Sequence, residues 1–179
     1  MRPFKAYDIQ FIGLKLGQHI YEYYIDNTFF NLFEYDEFNS VNLKTTLKLE
    51  KKTTLLELHF LTDGDVNINC DVTNEPYNQP VQSEFNLVVK FGAEYNNENE
   101  DILIIPHGSY EINVAQYIYE LIVLSIPQKR IHPGVEDGTL DSDILDKLKL
   151  LSPKEQDDTN SNNDTDPRWD TLKKLLTDK

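Results

Sequence analysis

Between Val41 and Phe91 apolar and polar side chains alternate in four runs, and this pattern constrains the fold more than any other feature. Val41, Leu43, Thr45, Leu47 and Leu49 alternate with Asn42, Lys44, Thr46, Lys48 and Glu50. Successive side chains of a strand point to opposite faces, so this run reads as a strand with one dry and one wet face. Leu56, Leu58 and Phe60 alternate with Glu57 and His59, and Val66, Ile68 and Cys70 with Asn67 and Asn69. Phe85, Leu87, Val89 and Phe91 make a fourth strand. Lys51-Lys52 reads as one turn and Asp63-Gly64 as a second hairpin. A strict two-residue turn there sets Phe60 opposite Asn67, and a one-residue slip sends a whole apolar set to the wrong face. A three-residue loop, Asp63-Gly64-Asp65, or a two-residue turn with a bulge is therefore expected. Phe60 then faces Ile68, Leu58 faces Cys70, and Cys70 points into the core.

The flanks extend this sheet. Lys5 to Ile12 and Gly17 to Asp26 read as two further strands. Asp26 or Asn27 caps a short helix, Thr28 to Phe33, whose Phe29, Phe30, Leu32 and Phe33 plug one end of the sheet. Ala93 to Asp101 reads as a solvated acidic loop, and Ile102 to Ile105 as a short strand ended by Pro106. Asn113 is placed to cap a helix from Val114 to Ile126, in which only Gln116, Glu120 and Ser125 are plainly polar. A helix apolar nearly all round belongs under a sheet, and Pro127 ends it. The expected fold class is α+β: an antiparallel, curved sheet, a half-barrel of hairpins, packed on this one central helix. The core domain is expected over 1–134 and a peripheral helical segment over 135–151. Residues 152–165 hold no large apolar side chain and read as a disordered linker. Over 166–179 a terminal helix is expected, with Asp166 as cap and Pro167 in its first turn.

A chain of 179 residues reads as one domain with a tail. Its net charge is −14, from 17 basic and 31 acidic residues, and most of the deficit lies before Pro127. Such a surface repels phosphate backbones and suits a basic protein partner; the plainer reading is that it keeps the protein soluble. With one cysteine there is no internal disulfide, which fits a reducing cytosol. There is no signal-peptide pattern, and the longest apolar stretch, Leu121 to Ile126, is too short to span a bilayer. A cytoplasmic location and no membrane contact are expected.

Candidate chemistry is sparse. Zinc needs about four thiolate or imidazole ligands. The chain offers Cys70, His19, His59, His107 and His132, no two histidines lie within four residues, and Cys70 and His59 fall on opposite faces. No metal, cofactor or catalytic residue is assigned. A core-facing Cys70 lacks the exposure and the base that a nucleophile needs. Neither G-x-S-x-G, G-x-G-x-x-G nor G-K-[ST] occurs, so no nucleotide site is indicated. Glu120, mid-helix among apolar neighbours, is either a buried carboxylate needing Lys129, Arg130 or a tyrosine as partner, or an edge-exposed glutamate. Lys129, Arg130 and His132 form the compact basic cluster of the body. They are candidate contacts for RNA or a partner, or a complement to a helix end. Trp169, Leu172 and Leu176 share one face of the terminal helix, a form suited to docking in a groove of a partner or of the chain's own body.

Four blocks stand in order: Asp63-Gly64-Asp65-Val66-Asn67-Ile68-Asn69-Cys70-Asp71-Val72-Thr73; Glu120-Leu-Ile-Val-Leu-Ser-Ile-Pro127; His132; and Asp166-Pro167-Arg168-Trp169 with Leu172 and Leu175. Over roughly the last two-thirds of the chain this resembles the YceD-like family, named for large ribosomal RNA subunit accumulation. Many members carry Cys-x-x-Cys where this chain has Cys70 and Thr73, with a further cysteine pair after the Pro…His segment. This chain keeps one of the four, which implies a branch that dispenses with the metal. The resemblance implies a non-enzymatic ribosome-assembly factor, and family genes commonly neighbour one for a small basic ribosomal protein. A basic ribosomal protein or a pre-large-subunit particle is therefore the expected partner, with ribosomal RNA reached indirectly. Asp166, Pro167, Arg168, Trp169, Leu172 and Leu176 are the expected partner contacts. The rival readings are a small hydrolase using His107 or His132, and direct RNA binding through Lys129 and Arg130.

Overall fold

The alternating runs pair into one sheet because each strand has an apolar face to bury. The computed structural model describes residues 4–152. A 3-10 turn at Lys5–Tyr7 is followed by β1 (Asp8–Gln10), β2 (Gly17–Ile25) and α1 (Asn27–Asn31). β3 (Ser40–Lys51), β4 (Leu55–Asn69), β5 (Pro76–Gly92), β6 (Asn96–Asn99), β7 (Ile102–Pro106) and β8 (Glu111–Asn113) precede the helices α2 (Ala115–Ser125), α3 (Pro133–Glu136) and α4 (Asp143–Leu151). The fold is α+β. A six-stranded sheet has the order β2-β3-β4-β5-β7-β6, and β1 pairs with β8 in a separate two-stranded sheet. Neither a half-barrel nor a helix central to it follows from this order; what is established is α2 lying against β5.

The first correction concerns Gly64. No hairpin turns there. β4 runs straight through it, with Leu43 opposite on β3 and Val81 opposite on β5. Phe60 faces Leu47 and Phe85 in place of Ile68, and Leu58 faces Leu49 and Leu87 in place of Cys70. Leu56, Leu58, Phe60, Thr62, Val66 and Ile68 are all buried, so the apolar phase passes Gly64 without a slip. The glycine is needed for close approach. Its φ is +141°, and a Cβ there would stand 2.3 Å from the Asn42 carbonyl oxygen. The true reversal between β4 and β5 is residues 70–75, closed by Cys70 N–H donating to Glu75 O at 2.9 Å and Asn74 N–H to Cys70 O at 2.8 Å. Asn74 has φ +60°, which asparagine tolerates. Cys70 is 2% exposed, as its inward orientation required.

The second correction is that the sheet is mixed. β7 lies parallel to β5 and antiparallel to β6. The expected acidic loop thus contains the edge strand β6, and the apolar Ile102–Ile105 run takes the inner slot between β5 and β6. Burial explains the order: a strand flanked on both sides suits Ile-Leu-Ile-Ile, and Asn-Asn-Glu-Asn stays wet at the edge. β5 is longer than the sequence pattern suggests, beginning at Pro76. Lys5 to Ile12 yields only the three-residue β1, which pairs with β8. Tyr110 to Asn113 is largely that partner strand; Asn113 Oδ1 still accepts from Ala115 N–H at 3.0 Å and supports the start of α2.

The Asp26 carboxylate caps α1, accepting from the N–H groups of Thr28 and Phe29. Phe29 and Phe30 are each 2% exposed, and such burial contributes about 1.5–3 kcal/mol per ring. Tyr119 of α2 stacks on Phe33 with centroids 4.3 Å apart. The underside of α2, Ile118 and Ile122, is fully buried, and Tyr117 packs against Phe60 and Phe85.

The chain divides into two compact units, 1–142 and 143–179. Within the second, α4 carries Asp143 and Asp146 in its first turn, and Ile144, Leu148, Leu150 and Leu151 are exposed. Apart from Ser152, the linker expected over 152–165 lies outside the described residues, as does the terminal helix with Asp166, Pro167, Arg168, Trp169, Leu172 and Leu176. Among the described residues no helix is long and apolar enough to cross a membrane.

Candidate functional site

The 70–75 turn and the segment after α2 meet at one corner. Asp71 N–H donates to Arg130 O, and Arg130 N–H to Asp71 Oδ2, each at 2.7 Å. The Arg130 guanidinium donates to Glu37 Oε2 at 2.6 Å, and the Tyr35 hydroxyl reaches the same oxygen at 3.1 Å. The hydrogen bond from Arg130 holds the Glu37 carboxyl below its ordinary range. Burial, and then the Glu37 charge, push Tyr35 up to about 12. The Arg130 guanidinium is therefore held by Glu37 and its backbone by Asp71, and Lys129 is exposed beside it. The basic cluster is smaller as a phosphate contact than the sequence implies.

His132 N–H donates to Cys70 Sγ at 3.3 Å. Thr73 and Val72, on the same turn as this sulfur, favour its thiolate through their polar groups. Burial raises the thiol pKa, but these donors together outweigh it, leaving it below the ordinary value. The His132 ring accepts from Gly134 N–H at 2.9 Å, capping α3, and packs edge-on to Tyr77. This geometry does not fit a zinc site. Thr73, buried, offers a hydroxyl where a second thiolate would stand, and His132 Nδ1 is engaged in the cap. No group of three or more His, Cys, Asp or Glu side chains able to hold a metal occurs among the described residues. Of the other histidines, His59 meets Asn86 on the outer face, and His107 is exposed.

Glu120 is not buried. α2 turns it outward, where Oε1 accepts from Gln116 Nε2 at 2.8 Å, because Ile118 and Ile122 occupy the sheet-facing stripe. It lines a groove of about 600 Å³ beside α2. Phe85, Leu87 and Tyr117 contribute ring and alkyl surface to this groove, and Leu124, 82% exposed, stands on its α2 side. Glu100 and Glu120 are its charged lining, and no lysine or arginine among the described residues lines it. Sequence reasoning missed this groove. Its one legible sign was Leu124, an apolar residue on a helix whose core stripe was already filled.

A family model described as "Large ribosomal RNA subunit accumulation protein YceD" matches residues 58–176, about two-thirds of the chain. The chain belongs to the YceD family. The matched segment contains Cys70, Thr73, the 129–132 cluster and every residue of the α2 groove. Glu37, which holds Arg130, lies outside it, so one half of the ion pair comes from the chain's own N-terminal hairpin region. The YceD name ties the family to accumulation of large-subunit ribosomal RNA. No curated protein and no solved structure matches this chain.

Proposed function

We propose that this YceD chain supports accumulation of 23S ribosomal RNA as a non-enzymatic, cofactor-free factor in the cytoplasm, and that it acts by binding a basic ribosomal protein or a pre-large-subunit particle carrying one. The family match over 58–176 carries the reading. The charge supports it: a chain of net −14 attracts a basic protein and repels bare RNA. The engagement of the Arg130 guanidinium by Glu37 weighs against direct RNA contact at the 129–132 cluster. A histidine hydrolase finds no support in His132, whose ring serves as a helix cap. Deleting the gene and measuring large-subunit RNA tests the function. Lowered 23S RNA, with recovery of a basic ribosomal protein by the purified full-length chain, is the expected result; unchanged RNA overturns it.

A further inference from the structure

We infer that the α2 groove and the adjoining free edge of β5 bind an extended basic segment of another protein, one whose apolar side chains alternate with lysine or arginine. This rests on the proposed function and names the surface that carries it. The edge argument begins at Val88. Its N–H donates to Asp101 O at 2.8 Å, on the side of β5 where β7 lies. Backbone groups of a strand alternate sides, so even-numbered residues of β5 direct N–H and C=O away from β4. β7 pairs only with Val88 to Gly92. The groups of Gln82, Glu84 and Asn86 on that side make no backbone hydrogen bond among the described residues. Pro76 and Pro80 obey the same parity: both positions without an N–H are even ones, where β4 asks for no donor.

A row of unpaired strand groups is a template for an added strand. The side chains for its specificity stand on the same stretch. Phe85 and Leu87 line the groove, and so does Ser83, whose hydroxyl is buried without a hydrogen-bond partner. An added strand that turns alternate apolar residues into the groove covers Leu124 and Tyr95, which are 82% and 58% exposed. Its remaining side chains point to the opposite face and meet Glu84, while Glu100 and Glu120, both exposed, stand in the groove itself with no basic residue lining it among the described residues. This complementarity selects a basic segment and rejects RNA.

The test uses the full-length chain and a fluorescent ten-residue peptide alternating lysine with leucine. Binding is expected, weakening as salt rises. Glu100→Lys with Glu120→Lys is expected to weaken it at least tenfold, and Leu124→Asp several-fold. Gln82→Pro removes an unpaired N–H and leaves charge and the β4 ladder intact; several-fold weakening is expected, with Gln82→Ala as wild type. A photoreactive phenylalanine at position 124 is expected to label the peptide. Absence of binding, equal affinity in all variants, displacement by single-stranded RNA of wild-type affinity, or labelling of a second copy or of the chain's own terminus each overturns the assignment. The two readings separate in a deletion strain. If deletion leaves 23S RNA unchanged, the proposed function fails. If deletion lowers it and the Glu100→Lys, Glu120→Lys chain restores it fully, the groove assignment alone fails.

Discussion

The His132 N–H donates to Cys70 Sγ at 3.3 Å, joining positions 62 residues apart in sequence. The lone cysteine is thus an acceptor that ties the 70–75 turn to the segment after α2. A sulfur that holds the turn to the post-helix segment does mechanical work which an apolar methyl group cannot do. Cys70→Ala leaves the part-buried His132 N–H unpaired and is expected to cost about 1–3 kcal/mol. Urea denaturation measures it; an unchanged midpoint shows that the donor finds another partner.

Gly64→Ala is expected to be among the most damaging single substitutions in the sheet. Its φ of +141° costs about 1–3 kcal/mol for a residue with a Cβ, and the 2.3 Å approach to Asn42 O adds a clash with backbone. For a chain of this size each kcal/mol lowers the melting temperature by about 2–4 °C. Gly138→Ala, where φ is +72° but nothing lies within 4 Å of the added carbon, is the comparison that isolates the clash. Equal losses at the two positions show that close packing at Gly64 is unimportant.

Thr45 and Thr62 face each other across β3 and β4, are both buried, and share a hydrogen bond of 2.8 Å. Thr62→Val strands the Thr45 hydroxyl and is expected to cost about 1–3 kcal/mol. Thr45→Val with Thr62→Val removes both polar groups at nearly constant shape. The double variant is expected to be more stable than either single one. Additive losses in a double-mutant cycle contradict this.

Alkaline pH is expected to destabilise the fold. Burial is the leading cause that raises Tyr35 and Tyr117 to about 12 and Tyr23 further. In the unfolded chain tyrosines ionise near pH 10, so between about 10 and 12 the native state binds more protons and stability falls as pH rises. Below pH 10 both states are protonated and this contribution is complete. Tyrosinate absorbance followed with circular dichroism across pH 9 to 12 checks it, with ionisation expected to lag until the sheet unfolds. Smooth ionisation near pH 10 in a folded chain refutes it.

The strands β2, β3 and β7, the cap at Asp26 or Asn27, the inward face of Cys70 and the helix α2 were determined by the chain's local pattern. Each follows from a period of two or 3.6, or from a cap within three residues, and such signals need no knowledge of distant neighbours. The role of Gly64 was decided by the tertiary structure. Asp-Gly is a turn signal only when the chain is free to reverse, and β3 and β5 flank β4 on both sides through that point, leaving it no room to do so. The insertion of β7 beside β5 was settled by competition for burial between Ile102–Ile105 and the polar β6, which neither segment reveals alone. Arg130 read as a candidate RNA or partner contact, because nothing near it in sequence announces Glu37, 93 residues away. The α2 groove belongs to the same class. It exists because β5 outruns β7, and that mismatch is a property of the assembled sheet and of no single strand.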